Sequence, residues 1–315
     1  MQWIGLEGNM SLLTDMVADR RRLQRTVFLW RAISAIVIVL FIGALLGRDR
    51  VLDRGAYVGL LTVEGVIIDD RRRARAIDAL LEDADLTALI VYVNSPGGSS
   101  AASESLYRAL RRVAGEKPVV TVMGSVAASG GYMVAVAAER IFARESTVTG
   151  SIGVVLEVTN FVELMRMAGI GHETLRSVPL KAQPNPFEPM SPAGREMGQG
   201  LVADVHQMFR KIVGDRRGLH GERLDDITDG RVFSGMSAHK SGLIDAIGGM
   251  TEARAWLKET YGISDRGAER EIETGHSVGF SKWLGEFLIG RSDFAGRLAL
   301  DGLVSVWHPS VSSAP

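Results

Sequence analysis

The chain has 315 residues, a formal net charge of −1 and no cysteine. The near-neutral charge argues against nucleic acid as a partner, and the lack of cysteine excludes disulfides, thiol nucleophiles and thiolate metal sites. The six histidines lack the spacing of metal ligands, so we expect no metal and no other cofactor. A chain of this length can fill one large or two modest hydrophobic cores.

An apolar segment at residues 27–46 predicts a membrane helix, because it is interrupted only by Arg31. At about 1.5 Å per residue it spans about 30 Å, the thickness of the hydrocarbon core. The arginines before it outnumber those after it by four to three: Arg20, Arg21, Arg22 and Arg25 against Arg48, Arg50 and Arg54. This bias predicts a short cytoplasmic segment at 1–26, a single-pass anchor in the cytoplasmic (inner) membrane at 27–46, and an exported body.

The body alternates predicted strands and helices, a pattern typical of a βαβ architecture in the α/β class. Its first half predicts strands at 57–68, 87–93, 118–123 and 140–143 and helices at 101–113 and 133–138, and a charged run at 69–75 leads into a further helix that ends near 81. Its second half predicts helices at 160–168, 191–216, 237–241 and 251–261, a short strand at 173–177, and short elements of no assigned type at 229–233 and 243–245. The 266–315 tail has weak apolar periodicity, typical of either an interfacial or partner-binding helix or a docked C-terminal helix.

The turn around Ser129 is a candidate site for a nucleophile. It follows a predicted strand and precedes a small-residue apolar helix, and glycines at 130 and 131 allow close approach of the backbone to a substrate. The glycines at 97 and 98 end the preceding strand in the same way. Because ligands of open α/β sheets bind beyond the carboxyl ends of strands, the two turns can supply two N–H donors to an oxyanion.

A serine nucleophile also needs a base. His172 falls in a predicted strand without an obvious carboxylate partner, and His206, His220 and His239 lie in helical or loop stretches predicted to be at the surface. Among the six lysines, Lys181 differs because no acidic residue follows it until Glu188. A desolvated lysine without a carboxylate partner can act as a base, although a lysine in a proline-rich loop (181–192) is more commonly a solvated charge.

Several blocks together resemble the signal peptide peptidase A family, which comprises membrane-anchored serine–lysine peptidases related in fold to Clp protease and crotonase. The blocks are N-S-P-G-G at 94–98, A-A-S-G-G-Y at 127–132, T-G-S-I-G-V at 149–154, Ser177 with Lys181, S-P at 191–192 and D-G-R-V-F-S-G at 229–235. The resemblance covers residues 57–260, and Ser129 and Lys181 lie 52 positions apart, as in the short form of the family.

The resemblance implies a role for each candidate residue. Ser129 would be the nucleophile, Lys181 the base and Ser151 the residue that positions the lysine, with backbone amides of Gly98 and Gly130 forming the oxyanion hole. Some members carry Asp where this chain has alanine at 182, which leaves the contacts of Lys181 open.

The resemblance also implies a Clp protease/crotonase-like βαβ superhelix for a peptidase domain at 51–265. The implied partners are hydrophobic peptides, such as cleaved signal peptides, and further copies of the chain in a homo-oligomeric ring. Two alternatives stay open: a crotonase-like acyl-CoA enzyme, which needs no serine nucleophile, and an inactive membrane scaffold of the same fold.

Overall fold

The computed structural model describes residues 30, 31, 33–38, 55–263, 268–272 and 304–306. The chain divides into two units, residues 1–55 and 56–315. In the first unit the described residues 30, 31 and 33–38 are helical, with exposed apolar side chains. Most of the segment predicted as a membrane anchor, 27–46, lies outside the described residues. Within the part that is described, no helix combines the length and the apolar character needed to cross a bilayer.

The second unit alternates strands and helices, which confirms the predicted α/β class. Its first half contains β1 (Tyr57–Ile67), α1 (Arg71–Glu82), β2 (Leu86–Ser99), α2 (Ser100–Val113), β3 (Val119–Ala128), α3 (Gly130–Ala135), β4 (Arg140–Ala143) and β5 (Val148–Gly150). Its second half contains α4 (Val162–Met167), α5 (Pro192–Arg217), α6 (Glu222–Asp225), β6 (Val232–Ser234), α7 (Gly235–Ser241), β7 (Ala246–Ile247), α8 (Met250–Tyr261), β8 (Ala268–Glu271) and β9 (Val304–Val306).

These strands form one mixed sheet in the order β6-β5-β3-β2-β1-β8, with β4 paired to β3 and β7, and β9 paired to β2. The central pairs β1–β2 and β2–β3 are parallel. Parallel strands need crossover connections, and here helices supply them and cover the faces of the sheet. Successive residues of β2 therefore enter different clusters: Leu89 and Val91 pack into one, Ala88 and Ile90 into the other. Because β2 and β3 are parallel neighbours, their carboxyl ends lie at the same edge of this sheet.

Two predicted strands run further than their apolar patterns indicated. β2 continues through the two glycines to Ser99, and β3 continues to Ala128. Their neighbours supply the reason, since β1 pairs with β2 as far as Gly98 and β5 pairs with β3 as far as Ala128. Helix α3 accordingly begins at Gly130, three residues earlier than predicted.

The strand predicted at 173–177 is wrong. This stretch has no regular structure, and the Leu175 side chain is 92% exposed. A strand needs a neighbour to satisfy its backbone, and Arg176 in the middle of the stretch instead forms an ion pair with Glu188. In the 266–315 tail the described residues form β8 and β9 rather than a helix. The rest of the tail, including the apolar positions that suggested a helix, lies outside the described residues.

Candidate active site

Ser129 lies at the junction of β3 and α3, where it is the N-cap residue of the helix. Its φ of 56° and ψ of −121° are unfavourable for a residue with a Cβ atom and cost about 1–3 kcal/mol. Two backbone bonds hold it there: its N–H donates to the Gly150 carbonyl at 2.7 Å, and its carbonyl accepts from the Met133 N–H at 3.0 Å. The turn thus presents a strained, buried serine with a fixed backbone.

Backbone strain recurs at the other positions that the sequence singled out. Among the described residues, the non-glycine residues with positive φ are Ser129, Ser151 at 50° and Ala182 at 59°. The first two are predicted site residues, and the third directly follows Lys181. Such conformations persist only where the surrounding structure imposes them, and they cluster at active sites.

The pairing of β3 with β5 brings Ser151 beside Ser129. The two strands are parallel, with Ala128 opposite Gly150, so Ser129 and Ser151 leave the sheet side by side. The Ser151 N–H donates to the Arg231 carbonyl at 2.8 Å. Arg231 belongs to the 229–235 block, which explains why that block accompanies the serine motifs.

Ser95 organises the glycine turn at the end of β2. Its fully buried hydroxyl donates to the Gly65 carbonyl at 2.6 Å and accepts from the Gly97 N–H at 3.1 Å. Its own carbonyl lies against α3, since a Cβ atom on Gly131 would stand 2.5 Å from that oxygen. A Cβ atom on Gly98 would collide with the Ile67 carbonyl of β1. Ser95 therefore links β1, the turn that carries Gly98, and the start of α3 at Gly130.

Lys181 lies on an exposed turn of the 155–191 segment. Its backbone N–H donates to the Val178 carbonyl at 3.1 Å. The Glu188 carboxylate braces the same segment by pairing with Arg176 and by accepting from Gln183 at 3.3 Å. The hydrogen bond from Arg176 is the main cause that lowers the pKa of Glu188 to about 2, so the brace is ionised at neutral pH. The structure thus brings Ser129 and Ser151 together and leaves Lys181 on the surface.

The segment that carries Lys181 also exposes many large apolar side chains. They are Val155, Phe161, Leu164, Met167, Ile170, Leu175, Val178, Leu180 and Phe187. His172, the alternative base, is exposed on this segment, with its Nε2 atom 3.0 Å from the Thr174 hydroxyl. Exposed apolar surface on this scale is typical of protein or membrane contacts. Within the described residues, no three His, Asp or Glu side chains are grouped so that they could hold a metal ion.

The sequence did not predict the polar contacts that fix α3 to the chain near residue 243. The buried Tyr132 hydroxyl donates to the Leu243 carbonyl at 2.8 Å, and burial raises the pKa of this hydroxyl, so it stays a neutral donor. Nearby, Arg217 donates to both carboxylate oxygens of Asp245, at 2.9 and 3.1 Å. Burial is the largest single influence and would lower the pKa of Arg217, but the hydrogen bonds to Asp245 together with the electrostatic effects of Tyr132 and Asp245 raise the pKa overall. Nothing in the local sequence pattern marks partners so far apart along the chain.

Comparisons with known proteins place the chain among peptidases. The model of peptidase family S49 matches residues 111–264, and the Clp protease model matches residues 68–149. A protein of Methanocaldococcus jannaschii that is named as a protease is 31% identical over 251 residues, covering 75% of this chain and 81% of that protein. The chloroplastic serine protease SPPA of Arabidopsis thaliana is 33% identical over 69% of this chain, and Protease 4 of Haemophilus influenzae is 32% identical over 62% of it. Each of these alignments spans only 33% of the longer relative.

A solved structure of a ClpP1 mutant from Listeria monocytogenes aligns with 66% of this chain and 98% of its own, at 15% identity and a TM-score of 0.42. The match to the S49 model includes the turn with Ser129, the Ser151 motif, Lys181 and the 229–235 block. Together with the archaeal relative, it shows that the chain belongs to peptidase family S49 and is a serine peptidase.

Proposed function

We propose that the chain is a membrane-bound endopeptidase that uses a Ser129–Lys181 dyad to degrade hydrophobic peptides, among them cleaved signal peptides. The observation that carries this proposal is the backbone strain at Ser129, at Ser151 and at Ala182 beside Lys181. Such strain persists only where the surrounding structure imposes it, and it is expected where side chains must be held for chemistry. The names of the relatives support a peptidase, and the use of a serine–lysine pair for catalysis is the part that we add as a proposal.

In the proposed reaction the Ser129 Oγ attacks the peptide carbonyl carbon while the neutral Lys181 amine takes the hydroxyl proton. Lysine then gives that proton to the leaving amine, and the acyl-enzyme on Ser129 is hydrolysed by a water that Lys181 deprotonates in turn. The Ser151 hydroxyl positions the lysine. The N–H groups of Gly98 and Gly130 donate to the oxyanion, where each donor is worth about 10²–10³ in rate.

The dyad requires a second copy of the chain. A lysine in water holds its proton at neutral pH, whereas burial favours the neutral amine that a base needs. Lys181 is exposed in the single chain, and apolar side chains such as Val178 and Phe187 are exposed around it. A homo-oligomeric ring in which a neighbour covers the 155–191 segment would bury both the apolar surface and the lysine.

The excess of arginines before residues 27–46 supports a single-pass anchor in the cytoplasmic membrane with the peptidase domain outside the cytoplasm. We expect a reporter enzyme that works only outside the cytoplasm to be active when fused after Pro315. The same reporter fused before Met1 is the control and should be inactive. Activity of a cytoplasm-dependent reporter at the C-terminal fusion would reverse the proposed orientation.

Labelling by a fluorophosphonate separates the peptidase from its two alternatives. Such a probe reacts with an activated serine, so covalent modification of Ser129 in the folded oligomer supports the proposal. A crotonase-like acyl-CoA enzyme or an inactive scaffold would leave Ser129 unmodified.

The contacts of Ser95 predict a split between turnover and binding. We expect Ser95→Ala to lower kcat by about 10²-fold with little change in KM, since the Gly97 N–H loses its acceptor and small displacements of catalytic groups are costly. Steady-state kinetics on an apolar peptide measures this. Thr121→Val is the matched control, because it removes another fully buried hydroxyl, one that donates to the Ala135 carbonyl at 3.1 Å. Equal losses in the two variants would mean that Ser95 has only a general structural role.

A further inference from the structure

A strand from the C-terminal tail pairs with the glycine turn. Strand β9 (Val304–Val306) runs antiparallel to the last residues of β2. The paired residues are Gly97 with Val306, Gly98 with Ser305, and Ser99 with Val304. The peptidase chemistry assigns no role to these three tail residues.

The register shows which edge of β2 the tail strand uses. A strand offers hydrogen-bonding groups along two edges, and at Gly97 and Gly98 β1 takes one of them. β9 therefore lies along the other edge, which β3 occupies as far as the pair of Ser95 with Ala127. Since Ser129 follows Ala127 by two residues, the tail strand takes the place of β3 in the sheet immediately beyond the Ser129 turn.

The same edge is the one that a substrate peptide needs. To be cleaved by the proposed chemistry, a peptide must present a carbonyl group both to Ser129 and to the backbone of the Gly98 turn, and strand addition to a free sheet edge is a recurring way to hold an extended peptide. Antiparallel pairing directs the tail strand from Ser99 toward Gly97, and so toward the Ser129 turn. Valines at 304 and 306 suit this extended conformation.

We propose that Val304–Val306 is an internal competitor of peptide substrates, which occupies the edge of β2 beside Ser129 and must leave before a substrate binds. This inference rests on the proposed function of Ser129. A tethered segment competes at a high effective concentration, so a short strand is sufficient. If the tail is bound nine-tenths of the time, the apparent reactivity of the site falls about tenfold.

A disulfide tests the pairing independently of activity. The chain has no cysteine, so Ser99→Cys combined with Val304→Cys creates one possible bond. Opposite residues of antiparallel strands have Cα atoms about 4.5–5.5 Å apart, a distance that a disulfide spans. We expect rapid intrachain oxidation that blocks labelling of Ser129 until a reductant is added. Ser99→Cys with Ser312→Cys is the matched control and should oxidise more slowly.

Equal oxidation rates in the two double variants would overturn the pairing, and a disulfide formed only between two copies would overturn the internal contact.

The competition is tested by Ser305→Pro with Val306→Pro, which removes two adjacent backbone donors from the strand. We expect the rate of fluorophosphonate labelling of the full chain to rise about tenfold. Ser312→Pro with Ser313→Pro is the matched control and should label at the rate of the parent.

Equal labelling rates in the parent and in the Ser305→Pro, Val306→Pro variant would overturn the competitor role. If neither protein is labelled while the intrachain disulfide forms readily, the peptidase proposal fails and the competitor role fails with it, although the strand pairing stands. The two failures are therefore distinguishable.

Discussion

Ser129→Ala is expected to abolish labelling by a fluorophosphonate and to lower kcat for peptide hydrolysis by about 10⁶-fold, the loss typical of removing a serine nucleophile. The substitution removes the proposed attacking oxygen and leaves the two backbone bonds of the turn, to Gly150 and from Met133, in place. The variant should therefore fold and assemble as the parent does. Intact-mass measurement after exposure to the probe gives the labelled fraction directly.

Ser125→Ala is the matched control, because Ser125 lies on the same strand, β3, but is exposed. It should label and hydrolyse peptide at the rates of the parent. A mass shift that persists in Ser129→Ala would place the reactive group elsewhere.

Lys181→Ala should remove most of the turnover, by about 10²–10⁴-fold, which is the contribution typical of a general base. Lys181→Arg should be no better, since a guanidinium group does not give up its proton near neutral pH. Initial rates on an apolar peptide measure both effects, with the size of the assembly checked for each variant. Lys211→Ala is the control: Lys211 is an exposed lysine of α5 that pairs with Asp215 at 2.7 Å.

Full activity in Lys181→Ala together with its loss in His172→Ala would replace the lysine with a histidine base. Mixing copies that carry Ser129→Ala with copies that carry Lys181→Ala gives a further distinction. If neighbouring copies share one site, mixed oligomers regain part of the activity that each variant lacks. If each site is complete within one copy, mixing restores none.

Local patterns predicted much of this molecule. The continuous β-branched run at 87–93 indicated a strand buried on both faces, and the structure buries Leu89, Ile90 and Val91 completely. Ser191 before Pro192 predicted the start of α5, where the Ser191 hydroxyl accepts from the Gly194 N–H. The small residues around Ser129 likewise predicted a turn between a strand and a helix.

What the sequence did not reveal depends on partners distant along the chain. The 173–177 stretch resembles a strand locally, but the Leu175 side chain points into solvent, and Arg176 pairs with Glu188. The pairing of β9 with β2 joins residues about 200 positions apart, beyond the reach of any periodicity. The positive φ values of Ser129 and Ser151 are imposed by neighbouring strands, so composition alone carries no sign of them.

The hydroxyl of Tyr132 has a consequence for how the enzyme is made. Its partner, the Leu243 carbonyl, lies 111 positions later in the chain, and Ile141 is bonded to Asp245, 104 positions later. During synthesis Ser129 therefore leaves the ribosome long before the residues that anchor α3 exist, and closing loops of this length is slow. Ser129 acquires its final geometry only after most of the chain is complete. With Ser129 as the nucleophile that we propose, a newly made copy stays inactive while its own unfolded segments are still exposed to cleavage.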